Sequence, residues 1–132
     1  MLSHFSLLDD HQYMNLTTYR KDGSEVTRPV WFAEEADSLY FITVAQSGKV
    51  KHIRNDPRVF VGPSDARGNP LSQERAAGTG TIYQGGHSRA EHANQLLNQK
   101  YGLLKRLFGL RFLLTGADVV WGEITPRNTE AV

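Results

Sequence analysis

Apolar and polar residues alternate along much of this chain, and the alternation is broken by clear turn signals. Tyr13 to Tyr19 follows the two-residue period of a strand. Lys21-Asp22-Gly23-Ser24 comes next, with Asp-Gly as the hairpin signal, and Val26 to Ala33 reads as the partner strand. On that strand Val26, Arg28, Val30 and Phe32 point one way, and Thr27, Pro29, Trp31 and Ala33 the other. Pro29 has no N–H to give to a ladder, so the pattern predicts a free side or a bulge there. Such a place often lies against a ligand or a second subunit, and it is equally what an ordinary sheet edge looks like. After the polar turn Glu34 to Asp37, Leu39 to Val44 is apolar on both faces, as a strand is in a closed barrel or beneath a helix.

The stretch from Thr43 to Gly68 organises the rest. It reads as a strand end, a short basic helix beginning at Ser47, a stop at Pro57, a strand from Arg58 to Val61, and a polar loop from Pro63 to Gln73. Val50 and Ile53 lie three apart and face the core; Lys49, Lys51, His52 and Arg54 face outward or towards a ligand. Ser47 is a good helix N-cap, and the N–H groups of Gly48, Lys49 and Val50 would then stand unpaired at the positive end of the helix. Gly48 lets a ligand approach that backbone closely, and Lys49 adds a mobile positive charge. Together these residues make a phosphate cradle. They also suit an ordinary capped helix with a solvated basic face.

Further along, Ala76 to Tyr83 reads as a longer strand in which Gly78 and Gly80 permit a bend. Ser88 and Glu91 have capping-box spacing, so a helix is expected to start there. Ala93, Leu96, Leu97 and Tyr101 form its apolar stripe, Gly102 is its C-cap, and Leu103 to Leu110 reads as a second amphipathic segment. Val119 to Thr125 is the closing strand, stopped by Pro126. Short strands with hairpin turns and two or three helical insertions predict a mainly β fold, a small barrel with helices at its edges. At 132 residues the chain is read as a single domain, 1–132, with its core at about 13–126.

Composition removes several chemistries. A net charge of +1 offers no strong field towards nucleic acid or membrane. The absence of cysteine excludes disulfides, thiolate metal sites and cysteine nucleophiles. Asp9 and Asp10 stand where a secretory signal would be apolar. The most apolar run, Leu103 to Leu114, holds Lys105, Arg106 and Arg111 and falls short of the roughly 20 residues of a spanning helix. A soluble cytoplasmic protein is the expectation. There is no nucleophile elbow, Walker loop or dinucleotide fingerprint, and the histidines are not spaced for a metal. Glu34-Glu35 and Asp9-Asp10 are adjacent pairs whose side chains diverge, so no acid–base dyad is expected. If the chain is an enzyme, a bound cofactor carries its chemistry, and the catalytic residues stay unknown.

Several blocks, taken in order, resemble a known group. They are Leu16-Thr17-Thr18-Tyr19-Arg20-Lys21-Asp22-Gly23, Pro29-Val30-Trp31-Phe32-Ala33, Ser47-Gly48-Lys49-Val50-Lys51-His52-Ile53-Arg54 and Asp56-Pro57-Arg58-Val59, followed by Asp65-Ala66-Arg67-Gly68 and Lys100-Tyr101-Gly102-Leu103. The chain resembles the split-barrel flavin-binding superfamily, which includes pyridoxamine 5'-phosphate oxidase and the deazaflavin (coenzyme F-420) dependent reductases; it is most similar to small deazaflavin-type members. The resemblance runs from Tyr13 to about Pro126. It implies a six-stranded split barrel acting as a homodimer, with one flavin-type cofactor at each of two interface sites. The strand Arg28, Pro29, Val30, Trp31 would run along the ring and ribityl chain. Thr43, Ser47, Gly48 and Lys49 would hold the phosphate, and Arg54 would add charge. The loop carrying Asp65 and Arg67 would border the ring.

Two departures pull the cofactor assignment in opposite directions. Arg28 stands where deazaflavin-type relatives carry a small or hydroxylated residue, whereas the oxidase branch uses an arginine at the matching place for the FMN phosphate. Gly48 stands where the oxidase branch has a second cation. FMN needs a compact cationic pocket. The deazaflavin cofactor extends beyond its phosphate and needs a basic track, for which Lys100, Lys105, Arg106 and Arg111 are candidates, though the same four also suit a solvated helical face. The pyridoxal-phosphate-binding residues of the oxidase have no match here, so vitamin-forming oxidase activity is not expected. The resemblance implies an oxidoreductase that passes hydride from reduced FMN or coenzyme F-420 to a small conjugated substrate. A non-catalytic flavin carrier is the alternative. A haem-binding split barrel is a third reading, for which His52 and His87 are poor axial candidates.

Overall fold

A computed structural model describes residues 4–102 and 118–128. The strands are β1 (Tyr13–Tyr19), β2 (Glu25–Glu35), β3 (Ser38–Val44), β4 (Arg58–Ser64), β5 (Ala76–Tyr83) and β6 (Val119–Pro126). Helix α1 (Gly48–Asn55) lies between β3 and β4, and α2 (Ser88–Tyr101) between β5 and β6. A single 3-10 turn, Ser6–Leu8, precedes β1. All six strands pair antiparallel in a closed barrel, in the order β1-β2-β3-β6-β5-β4. The mainly β barrel expected from the pattern is the fold of this chain.

The two-residue period explains the core. Met14 and Leu16 on β1, Val30 and Phe32 on β2, Leu39 and Phe41 on β3, Val59 and Val61 on β4 and Ile124 on β6 fill the barrel. Phe5, Leu8 and Ile53 of α1 close it. A second cluster lies outside, where Leu97 and Tyr101 of α2 pack on Ala33 with Trp31, Ile42, Leu96 and Trp121. The two apolar faces of β3 are thus accounted for: one faces the barrel and the other lies beneath α2. The second helical segment expected from Leu103 to Leu110 falls outside the described residues.

Three local expectations are corrected. The Ser88–Glu91 capping box does not form; Ser88 is the first residue of α2, and His87 is the cap, its Nδ1 accepting from Arg89 N at 3.0 Å. β4 runs three residues past Val61 and includes Pro63. Pro63 is tolerated because it is matched to Met14 of β1 at the end of β4, where the ladder to β5 has already stopped at Val61↔Ala76. Ser47 does cap α1 with an extended backbone, yet its hydroxyl makes no cap bond.

Candidate functional site

The barrel is unevenly paired around β2. Its ladder with β1 continues from Trp31 down to Glu25, but its ladder with β3 covers only Phe32 to Glu35. Arg28, Pro29 and Val30 are matched to Leu16, Asn15 and Met14 of β1 and to no residue of β3. This is the free side expected at Pro29, and it splits the barrel wall. Arg28 shares a face with the core residues Val30 and Phe32, yet it is exposed, because β3 has left β2 by that point.

Lys49 sits beside this split in the first turn of α1, half-buried. Burial pushes its ammonium below the ordinary lysine range, and the nearby Arg28 charge pushes it further the same way. Among the described residues neither cation has a carboxylate partner, and the Arg28 guanidinium bonds only to the carbonyl of Thr27, at 2.9 Å. Thr43, nearly buried at the end of β3, holds its hydroxyl 3.5 Å from that of Ser47. Since Ser47 spends no side-chain bond on the cap, the first N–H groups of α1 stay open to an incoming anion. A Cβ at Gly48 would meet only the His52 ring, at 3.5 Å, so that face is lightly covered. Arg28, Thr43, Ser47, Gly48 and Lys49 are therefore gathered at one end of the barrel wall.

The 65–70 loop folds back on the same strand. Asp65 uses its carboxylate locally, accepting from Arg67 N and Asn69 N at 2.9 Å each and from Asn69 Nδ2 at 3.0 Å, and these bonds lower its pKa. Gly68 has φ +91, where a side chain would be strained, and a Cβ there would lie 3.2 Å from Pro29 Cδ. Asn15 ties the loop down by donating to the Gly68 carbonyl at 2.9 Å. Asp65 thus shapes the loop against Pro29, while Arg67 is exposed at its tip. Arg54 is also exposed, about 140° around α1 from Lys49 by helical geometry.

Trp31 stacks on Tyr101 of α2, with ring centroids 4.8 Å apart. The Tyr101 hydroxyl accepts from Phe32 N at 2.9 Å and has the carbonyls of Gln12, at 2.6 Å, and Phe32 as acceptors. It thereby adds a rung to the β1–β2 ladder just beyond Tyr13↔Trp31. Lys100 donates to the His11 carbonyl at 2.9 Å and lies 3.5 Å over the Phe32 ring; burial lowers its pKa to about 8. Phe32 is four residues from Arg28, roughly 13 Å along an extended strand, so Lys100 is anchored well away from Lys49. Lys105, Arg106 and Arg111 lie outside the described residues. Sequence reasoning placed Tyr101 in an apolar stripe and missed what its hydroxyl does. It also missed Asn15; a polar residue at an otherwise alternating strand position is too common to single out.

The sequence model of the pyridoxamine 5'-phosphate oxidase family matches residues 3–115. The chain belongs to that family. No curated protein matches the sequence. Among solved structures, an F420 reductase is 23% identical with a TM-score of 0.58, the alignment covering 93% of this chain and 92% of the other. A pyridoxamine 5'-phosphate oxidase-related, FMN-binding protein of Nostoc punctiforme is 17% identical with a TM-score of 0.57, covering 87% and 70%. The heme storage protein HutZ of Vibrio cholerae is 10% identical with a TM-score of 0.70, covering 94% and 87%. At these identities the likeness is one of fold, and it makes this member of the oxidase family a split barrel of the same architecture. Among the described residues no group of three or more potential ligands could hold a metal ion, and no helix is long and apolar enough to cross a membrane.

Proposed function

We propose that this chain binds a flavin-type cofactor along the open segment of β2 and acts as an oxidoreductase on a small conjugated substrate. The observation that carries the reading is the proximity of the Arg28 and Lys49 charges at the barrel split, with no carboxylate among the described residues paired to either. A half-buried lysine beside an arginine is costly in the free protein, and an anion placed between them relieves both. The residues fit a phosphomonoester. Arg28 and Lys49 supply charge, the Ser47 and Thr43 hydroxyls and the first N–H groups of α1 supply hydrogen bonds, and Gly48 leaves room. The chain beyond the phosphate would lie along Pro29, Val30 and Trp31, with the Asp65–Gly68 loop at its border. A bound flavin or deazaflavin supplies the two-electron chemistry; the protein supplies binding, orientation and shelter from water.

FMN is favoured over coenzyme F-420 on one ground. Arg28 and Lys49 form the compact pair that a terminal phosphate wants, whereas Lys100, the one described member of the basic track, is anchored at the other end of the segment. The cofactor site would be completed by a second copy of the chain. The absorption and fluorescence spectrum of protein purified with its cofactor tests the reading, since oxidised FMN and deazaflavin differ in both. An oxidoreductase will show substrate-dependent reoxidation of the reduced cofactor. A Soret band in place of either spectrum would overturn the proposal in favour of haem.

A further inference from the structure

The His52 ring has two edges with different surroundings. Nδ1 lies 2.9 Å from the hydroxyl of Thr18, which is fully buried on the inward face of β1, in line with Met14 and Leu16. A hydroxyl in that position is costly unless bonded, and a valine would fill the space as well, so the hydroxyl has a use there. That use is to hold the ring. The side chain of His52 leans back over the preceding turn towards the start of α1, as helical side chains do. Its other edge therefore reaches the first turn, where a Cβ on Gly48 would lie 3.5 Å from Cε1 and 3.7 Å from Nε2. Gly48 has no such atom, and Nε2 has no hydrogen-bond partner among the described residues. A ring fixed through one nitrogen with the other left open is how a histidine is oriented towards a ligand.

We infer that His52, held by Thr18, presents Nε2 to the phosphate at the start of α1, and that it sets the site's preference for a phosphorylated cofactor over a phosphate-free one. This rests on the cofactor reading above and adds a third group to Arg28 and Lys49. Thr18 acts only as a positioning residue. The competing explanation, a histidine that merely closes the barrel end, needs the Nδ1 bond alone. Replacements separate the two, because asparagine can offer a polar atom near the place of Nδ1 and glutamine one near the place of Nε2.

The experiment compares dissociation constants for FMN and riboflavin by flavin fluorescence in the full chain, with melting curves as the folding control. His52→Asn and His52→Ala are expected to weaken FMN about tenfold and leave riboflavin unchanged, while His52→Gln keeps most of the FMN affinity. In a ¹⁵N-histidine spectrum, inorganic phosphate is expected to move the His52 Nε2 signal in the wild-type chain. Equal losses for FMN and riboflavin, or none, would overturn the role of His52 while leaving the cofactor reading intact. If the chain binds no flavin but phosphate still moves Nε2, the cofactor reading falls and His52 stands as part of an anion site. If neither flavin binds and Nε2 does not move, both fall.

Discussion

Lys49, the proposed phosphate ligand, would bind at a cost to the free protein. Burial and the Arg28 charge both disfavour its ammonium, so the folded state gives up stability at neutral pH to keep it. Lys49→Ala should therefore leave the fold as stable as before, or slightly more so, while removing a charge-assisted contact of roughly 1.5–3 kcal/mol and weakening FMN about 10- to 100-fold. Isothermal titration checks the second point and urea unfolding the first. The pH dependence has a definite sign. An anion needs the protonated lysine, whose pKa in the free protein is lowered, so affinity is fully present below that pKa and falls as pH rises through it. Titrations from about pH 7 to about pH 10 should show this decline below the ordinary lysine range, and Lys49→Ala should flatten it. Tyr101 makes the opposite case, a polar group whose value is structural. Burial pushes its hydroxyl well above the usual tyrosine range, and Phe32 N depends on it. Tyr101→Phe leaves that buried N–H unpaired, with an expected loss of about 1–3 kcal/mol in urea unfolding.

Among the elements, α2 depends on more than its apolar stripe. Arg89 grips Glu123 of β6 with two bonds, Nε to Oε1 at 3.1 Å and Nη2 to Oε2 at 2.7 Å, and also bonds the Tyr40 hydroxyl. The Tyr40 and Tyr83 hydroxyls each donate to Glu123 at 3.2 Å. Burial alone would raise the Glu123 carboxyl, but these donors and the Arg89 charge hold it below the usual carboxylate range. Its contribution is therefore present above the unfolded carboxyl pKa and is lost as pH falls through the depressed folded value. Glu123→Gln should lower the melting temperature at neutral pH and shrink the difference from wild type in acid. Strand β6 carries a second constraint. A Cβ at Gly122 would lie 2.2 Å from two atoms of the Phe41 ring, which is fully buried on β3. Gly122→Ala forces that ring aside, and a loss of about 1–3 kcal/mol or more is expected in denaturant unfolding.

For the whole molecule, the half-open β2 and the outward Trp31–Tyr101 stack lie on the wall where a cofactor would rest. A cofactor on an outer wall is half-exposed in a monomer, and a second copy would cover it. Light scattering of the cofactor-bound protein at micromolar concentration should give twice the chain mass. A clean monomer that still binds cofactor would remove the second copy from the site. Assembly should also respond to the cofactor, since a ligand shared by two copies stabilises their contact by mass action. Dilution should therefore separate the copies more readily in the cofactor-free protein.

The strands were legible because their signals are local. Alternation at Tyr13–Tyr19 and Ala76–Tyr83, the Asp22-Gly23 turn and the stop at Pro57 act over a few residues; β1 and β5 start and end where the alternation says, while β2 and β4 run on past their expected ends to Glu35 and Ser64. The strand end at Val44 and the start of α1 after Ser47 were legible for the same reason, their residues being neighbours in the chain. Other features depend on contacts between distant segments. The same period that puts Val30 and Phe32 in the core puts Arg28 on their face, and only the departure of β3 after Phe32 makes that position a mouth instead of a buried charge. One miss was itself local: His87, not Ser88, caps α2, because its ring nitrogen lies within reach of Arg89 N two residues on. Tyr101 and Phe32 are 69 residues apart, and Thr18 and His52 are 34 apart. No periodicity links such pairs, because closing the barrel is what brings them together.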